Sequence, residues 1–155
     1  MRIVLLEPEI HWNTGNIGRT CVATGTPLHL IEPLGFRLDD REIRRAGLDY
    51  WPKLALSVHK DFAAFEATLP PDASLLFFST QAEALLWDAP YREDSYLIFG
   101  KESAGFPEAL RERFAPRFYR IPIEEVRSLN LSTAAAVALF EGLRRRRWPT
   151  PSRAP

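Results

Sequence analysis

Short apolar runs separated by polar, helix-length segments recur along the chain. Arg2–Leu6 (R-I-V-L-L) is rich in β-branched and leucine residues and is closed by Glu7-Pro8, the pattern of a buried first strand. Similar runs at residues 28–31, 54–58, 75–79, 96–100 and 117–121 predict further strands. Between them the pattern predicts helices. One follows the loop at 11–19 and runs to about Thr24, with Asn16 placed to cap it; another occupies 39–46 and ends at Gly47. An amphipathic helix at 60–69 turns Phe62 and Phe65 to the core and is broken by Pro70-Pro71, and a short helix follows at 108–113. Residues 81–89 read as a loop or partial helix. The final helix, centred on the nearly all-apolar residues 134–140, is expected to be buried over most of its surface. Helices alternating with short apolar strands predict an α/β fold, a mainly parallel sheet with helices on both faces. One domain over residues 1–148 accounts for the chain, with a Pro-rich flexible tail at 149–155.

The polar residues interrupting this pattern gather where strands end. After the run at 117–121 come Ser128, Asn130, Ser132 and Thr133, at the start of the last helix. Such residues either cap a helix or, with its unpaired N–H groups, hold a ligand. The run at 96–100 stops at Gly100 and enters a loop carrying Glu102 and Gly105, and the run at 75–79 stops near Phe78. Loops at the C-terminal ends of parallel strands are where open α/β sheets bind ligands, so the ends at Phe78, Gly100 and Ile121 could together enclose one small molecule.

Composition changes this picture in a few places. The 155 residues are 46% hydrophobic and 26% charged, with no apolar run long enough to span a membrane. Formal net charge is zero, but the basic residues are 17 Arg and only 3 Lys. They cluster at Arg41, Arg44 and Arg45, at Arg111, Arg113, Arg117 and Arg120, and at 144–147. A neutral protein can therefore carry basic patches suited to phosphates, although solvated helix faces give the same clusters. A single cysteine, Cys21, precludes an internal disulfide, and Ile3–Leu6 is too short for a signal peptide; a cytoplasmic location is expected. His11, His29 and His59 lack the spacing of a zinc site, so no metal is expected, and no glycine-rich dinucleotide fingerprint is present.

Three motifs in order, N-T-G-N-I-G-R at 13–19, F-G-K-E-S-A-G-F-P at 99–107 and I-P followed by S-L-N-L-S at 121–132, resemble the SPOUT superfamily of RNA methyltransferases. Within it the chain is similar to the TrmL (YibK) type of tRNA ribose 2′-O-methyltransferase, also through R-R-A-G-L-D-Y-W at 44–51. The resemblance spans about residues 2–143. It implies a C-terminal trefoil knot, which general topology rules would not predict, and a homodimer acting on tRNA with S-adenosyl-L-methionine. The methylated group would be the 2′-hydroxyl of a wobble cytidine or uridine. By position, Phe78, Gly100, Ile121, Ser128 and Leu129 would bind the cofactor. Arg19, Glu102, Ser128 and Asn130 would form the catalytic set, the alternative for Glu102 being a helix cap or surface carboxylate. Asn13, Asn16, Arg19, Arg41, Arg44 and Arg45 would meet RNA. Arg19 sits in the first turns of its predicted helix, where the dipole disfavours a cation, a placement that hints at use. Lys101 and Ala104 stand where Pro and Arg are expected, and Phe140 where Tyr is, departures that bear on RNA specificity more than on the cofactor. A non-catalytic RNA-binding module, or an enzyme of the superfamily acting on rRNA or another tRNA position, are the alternatives.

Overall fold

The computed structural model describes residues 1–38 and 50–146. The helix expected at 39–46, Arg41, Arg44, Arg45 and the tail at 149–155 lie outside the described residues. In chain order the elements are β1 (Arg2–Leu6), α1 (His11–Thr24), β2 (Leu28–Ile31), β3 (Leu56–His59), α2 (Phe62–Glu66), β4 (Leu75–Phe78), β5 (Tyr96–Phe99), α3 (Glu108–Arg113), β6 (Phe118–Tyr119) and α4 (Leu131–Arg146). Short 3-10 turns at Trp51–Lys53, Leu86–Asp88 and Ala115–Arg117 join some of them.

All strand pairings are parallel, and the sheet order is β3-β2-β1-β5-β4-β6. Alternate residues of β1 serve two cores. Ile3 and Leu5 pack with Ile17 and Cys21 of α1 and with Ala135, Ala138 and Leu139 of α4. Val4 and Leu6 pack on the opposite face with Phe65 of α2 and with Phe114 and Phe118. On that face Phe77 stacks between Phe114 and Phe118, with ring centroids 4.8 and 4.9 Å away. Near-continuous burial of β1, β4 and β5 follows from this double coverage and explains why their sequences are unbroken apolar runs. Register then fixes the site's position. Phe78 pairs with both Phe99 and Tyr119, so the loops beginning at Ser79, Gly100 and Arg120 open side by side.

Several elements differ from the sequence expectation. α1 begins at His11 rather than in the middle of the motif, so Asn16 is an exposed helix-interior residue and not a cap. Arg19 accordingly lies in the third turn, beyond the reach of the N-terminal dipole, and its placement carries no electrostatic penalty. α2 is confined to Phe62–Glu66, held at its start by Asp61, whose Oδ1 accepts the Ala64 N–H at 2.7 Å. β6 contains only two residues, with Arg120 adding a lone parallel bridge to Leu85. α4 is buried on one face only: Ala135, Ala138, Leu139, Gly142 and Leu143 point inward, whereas Val137 and Phe140 are 38% and 50% exposed.

Candidate active site

The loop after β5 is shaped by its glycines. Lys101 and Gly105 exchange two backbone hydrogen bonds, of 3.1 and 2.8 Å, which folds the loop back on Gly100. A Cβ on Gly100 would lie 2.5 Å from the carbonyl carbon and oxygen of Gly105, and Gly105 has φ +66°. Both glycines are therefore required by the turn itself.

Three successive side chains of this loop dock on the segment that follows β1. The Lys101 ammonium is 2.6 Å from Glu7. The Glu102 carboxylate accepts from the backbone N–H of Glu9 at 2.8 Å, of Ile10 at 3.3 Å, and from Asn13 Nδ2 at 3.0 Å. Ser103 donates its backbone N–H and its hydroxyl to the two oxygens of Glu9, both at 2.8 Å. Those two bonds, aided by Lys101, hold the Glu9 carboxyl below its usual range, and Glu7 raises the Lys101 ammonium in turn. Glu102 thus does from 92 residues away what a local cap would do for the residues leading into α1, whose N-cap position, Ile10, has no capping side chain.

The start of α4 joins the same network. Asn130 Oδ1 accepts from the Ser132 N–H at 2.9 Å, the Thr133 N–H at 3.4 Å and the Ser132 hydroxyl at 2.6 Å, which makes Asn130 the cap of α4. Its Nδ2 donates to Asn13 Oδ1 at 2.9 Å. The amide orientations follow from the partners. A carboxylate only accepts, so Asn13 Nδ2 must face Glu102, which leaves Asn13 Oδ1 for Asn130. A continuous chain of bonds, Glu102–Asn13–Asn130, ties the β5 loop to the N-termini of both helices on this face of the sheet.

Beside the network lies an open cavity of about 610 Å³. Phe78, Gly100, Ile121, Ser128 and Leu129, the residues that sequence selects for a cofactor, all line it, as do Glu102, Asn130 and Asn13. Its apolar walls come from strand ends and its polar ones from the β5 loop and the approach to α4. Sequence reasoning passed over Gln81, Ser103 and Arg127, which also line it; their adjacency to Phe78, Glu102 and Ser128 was the available signal.

The residues expected to meet RNA are placed differently, and of those described only Asn13 touches the cavity. Asn13 is 5% exposed and its amide is engaged inside the protein, so it does not present itself to RNA as expected. Asn16 and Arg19 lie on the exposed side of α1. Arg19 is six residues beyond Asn13, about 9 Å along the helix axis, with its guanidinium 4.7 Å over the ring of Tyr50. Tyr50 is fixed by a 2.6 Å bond from its hydroxyl to the Gly15 carbonyl. Arg19 and Glu102 are therefore not partners within one chain. In the C-terminal basic cluster, Arg144 and Arg145 both pair with Glu141, Arg145 also reaches the carbonyls of Trp87 and Ala89, and Arg146 reaches that of Tyr91. Arg145 and Arg146 thus fasten the last turn of α4 to the 87–91 segment. Among the described residues, no three His, Cys, Asp or Glu side chains converge as metal ligands, and no helix is long and apolar enough to cross a membrane.

The model of the SpoU rRNA Methylase family matches residues 1–140. A tRNA (cytidine(34)-2′-O)-methyltransferase of Burkholderia pseudomallei (strain 1106a) is 47% identical over 145 residues, covering 92% of this chain and 93% of that protein. A structure that gives insight into the 2-OH methylation of C/U34 on tRNA is 49% identical with a TM-score of 0.87, covering 93% of this chain and 94% of that one. The fold is shared further. An AdoMet-bound rRNA methyltransferase from Sinorhizobium meliloti superposes with a TM-score of 0.78 at 24% identity, over 93% of this chain and 56% of that one.

Proposed function

Because the chain belongs to the SpoU rRNA methylase family, we propose that it transfers a methyl group from S-adenosyl-L-methionine to the ribose 2′-hydroxyl of a tRNA nucleotide, the wobble cytidine or uridine. The observation that carries this reading is the convergence of all five cofactor candidates and of Glu102 and Asn130 on one cavity. At about 610 Å³ the cavity falls within the range that holds small ligands and cofactors.

Phe78, Ile121 and Leu129 would supply apolar walls for the cofactor, and the backbone at Gly100 and Ser128 would offer it hydrogen bonds. When bound, S-adenosyl-L-methionine supplies an electrophilic methyl group. The chain's own contribution is positioning, which for a weakly acidic hydroxyl carries much of the rate. Glu102 and Asn130, rigidly joined through Asn13, fix the polar side of the cavity. Arg19 contacts phosphate and orients the target ribose. Asn16, Arg41, Arg44 and Arg45 extend the RNA surface.

Arg19 is not among the residues that line its own chain's cavity, and a homodimer supplies it from the partner subunit. α1 and α4 pack side by side and expose Trp12 (66%), Val137 and Phe140, an apolar surface suited to a second copy. A trefoil knot fits the way the 84–91 segment meets both the chain leaving β6, through Leu85 and Arg120, and the last turn of α4, through Arg145 and Arg146. Residues 1–148 form one such domain with a short tail, working in the cytoplasm.

Transfer of labelled methyl to tRNA from a strain lacking the protein, followed by nucleoside analysis, tests the reaction. Label in a 2′-O-methylated pyrimidine is expected; label in a methylated base or in rRNA alone would overturn the assignment. Mixing Arg19→Ala subunits, which retain cofactor affinity, with Ile121→Trp subunits, whose cavity is filled, tests the shared site. About a quarter of wild-type activity should return, since half the dimers then carry one intact site. No recovery after subunit exchange would place Arg19 in its own subunit's site.

A further inference from the structure

One cation beside the cavity lacks a counter-ion among the described residues. Arg111, on α3, is only partly exposed, and its Nε is buried without a hydrogen-bond partner. Its other contact is with a neutral group, Nη1 donating to Gln81 Oε1. Arg113 on the same helix is matched differently, by a fork of 3.0 and 2.6 Å to Glu66. A partly buried guanidinium without a carboxylate is unfavourable until an anion comes near.

The contact with Arg111 also determines what Gln81 presents. Arginine only donates, so Gln81 Oε1 is the atom it holds, and the exposed Gln81 Nε2 is left to donate at the mouth of the cavity. The loop between β6 and α4 adds Arg127, an exposed residue lining the same cavity with no ion-pair partner among the described residues. The other cation of the lining, Lys101, is neutralised by Glu7, and the Glu102 carboxylate is filled by three donors. Gln81 Nε2 and Arg127 are therefore donors left at this rim, both backed by positive charge.

We propose that Gln81, oriented by Arg111, and Arg127 form an anion subsite at the mouth of the cavity that takes a backbone phosphate of the RNA substrate. This rests on the methyl-transfer reading above and adds to it substrate-positioning residues on the loops after β4 and β6. Exposure favours RNA over the cofactor as the source of the anion, because Gln81 and Arg127 are on the open rim rather than between the apolar walls that would grip the cofactor. Gln81 and Arg127 bind; Arg111 acts through Gln81 and is a positioning residue.

The test measures affinity of the intact protein for S-adenosylhomocysteine by calorimetry and for unmodified tRNA by filter binding over a salt series. Gln81→Glu keeps an acceptor for Arg111 but places a negative charge at the rim. It should weaken tRNA binding about tenfold at low salt, the scale of a charge-assisted hydrogen bond lost. Arg127→Ala should lower the slope of log K against log salt by about one. Arg111→Lys, which keeps the charge but not the fork, should weaken tRNA binding while leaving that slope nearly unchanged, a split that a purely structural role would not produce. In all three, S-adenosylhomocysteine affinity should stay within about twofold. Unchanged tRNA affinity in Gln81→Glu and Arg127→Ala would overturn the proposal, and so would loss of S-adenosylhomocysteine affinity alone, which would assign the anion to the cofactor's carboxylate. If the wild-type protein binds neither ligand, the methyl-transfer reading fails first.

Discussion

Asn13 is where the structure and the sequence expectation part most clearly, and replacing it decides between them. In the structure its Nδ2 donates to the Glu102 carboxylate at 3.0 Å and its Oδ1 accepts from Asn130 at 2.9 Å, at a site 5% exposed. Asn13→Ala removes both bonds. One involves a charged partner, about 1.5–3 kcal/mol, and one a neutral partner, about 0.5–1.5 kcal/mol, so a loss of about 2–4 kcal/mol is expected. For a chain of this size that corresponds to roughly 5–15 °C in Tm. Asn13→Asp is the sharper variant. It keeps the acceptor for Asn130 but sets a second carboxylate against Glu102, so one of the two must take up a proton. Its destabilisation should be larger at pH 8 than at pH 5, while that of Asn13→Ala should vary little across the same range. Urea unfolding at the two pH values, with S-adenosylhomocysteine titrations alongside, reads both effects. If Asn13 were instead an RNA contact, either variant would unfold within about 0.5 kcal/mol of wild type, as surface substitutions do, and only tRNA affinity would fall. That result would refute the network.

Gly100→Ala should cost about 1–3 kcal/mol, because the added methyl meets Gly105 backbone at 2.5 Å and neither chain can yield; S-adenosylhomocysteine affinity should fall with stability, and an unchanged urea midpoint would count against the turn as described. The His29–His59 pair should make stability depend on pH. Its ring nitrogens are 3.0 Å apart, and burial, then His59, then Arg2, push His29 down to about 4, while burial also lowers His59. The unfolded chain, titrating near 6.5, therefore binds more protons than the folded one between about pH 6.5 and 4, so stability falls as pH drops through that window and is complete above it. About 1–2 kcal/mol is expected after solvent screening of partly exposed rings; His29→Gln should flatten the slope, and an equal slope in that variant would assign it to other groups.

Strand positions were largely readable because burial on both faces writes a strand as an unbroken apolar run. Where one face is open or the strand is short, reading failed at the edges: β3 is an edge strand with Ser57 and Val58 exposed, and β6 is two residues long. That the cofactor candidates would converge on one cavity was readable for a related reason. Phe78, Gly100 and Ile121 lie at or just beyond strand ends, and the register of neighbouring parallel strands brings such ends together without further information. The start of α1 was not readable, because the group that stabilises its approach, Glu102, belongs to a loop 92 residues away. Nor was the one-sided burial of α4. Alanines occupy both its inner and outer faces, so apolar composition concealed an exposed stripe that only packing distinguishes. Arg145 and Arg146 read as part of a basic patch and are held by backbone carbonyls, which leave no mark in sequence.

The polar residues at the head of α4 read as either a cap or a ligand site, and the hydrogen bonds show the cap, while Ser128 and Asn130 also line the cavity. Asn130 commits its oxygen to capping, a role worth about 1 kcal/mol, and its nitrogen to Asn13. Ser132 gives its hydroxyl to Asn130. Ser128 lines the cavity, is exposed, and makes no hydrogen bond with the described residues. Because Asn130 is already satisfied, the cap holds its shape whether or not a ligand is present, and the cavity wall does not need to rearrange to receive one. The ordering cost of the site is met by folding, and the hydroxyl of Ser128 is left as the group whose partner can change on binding.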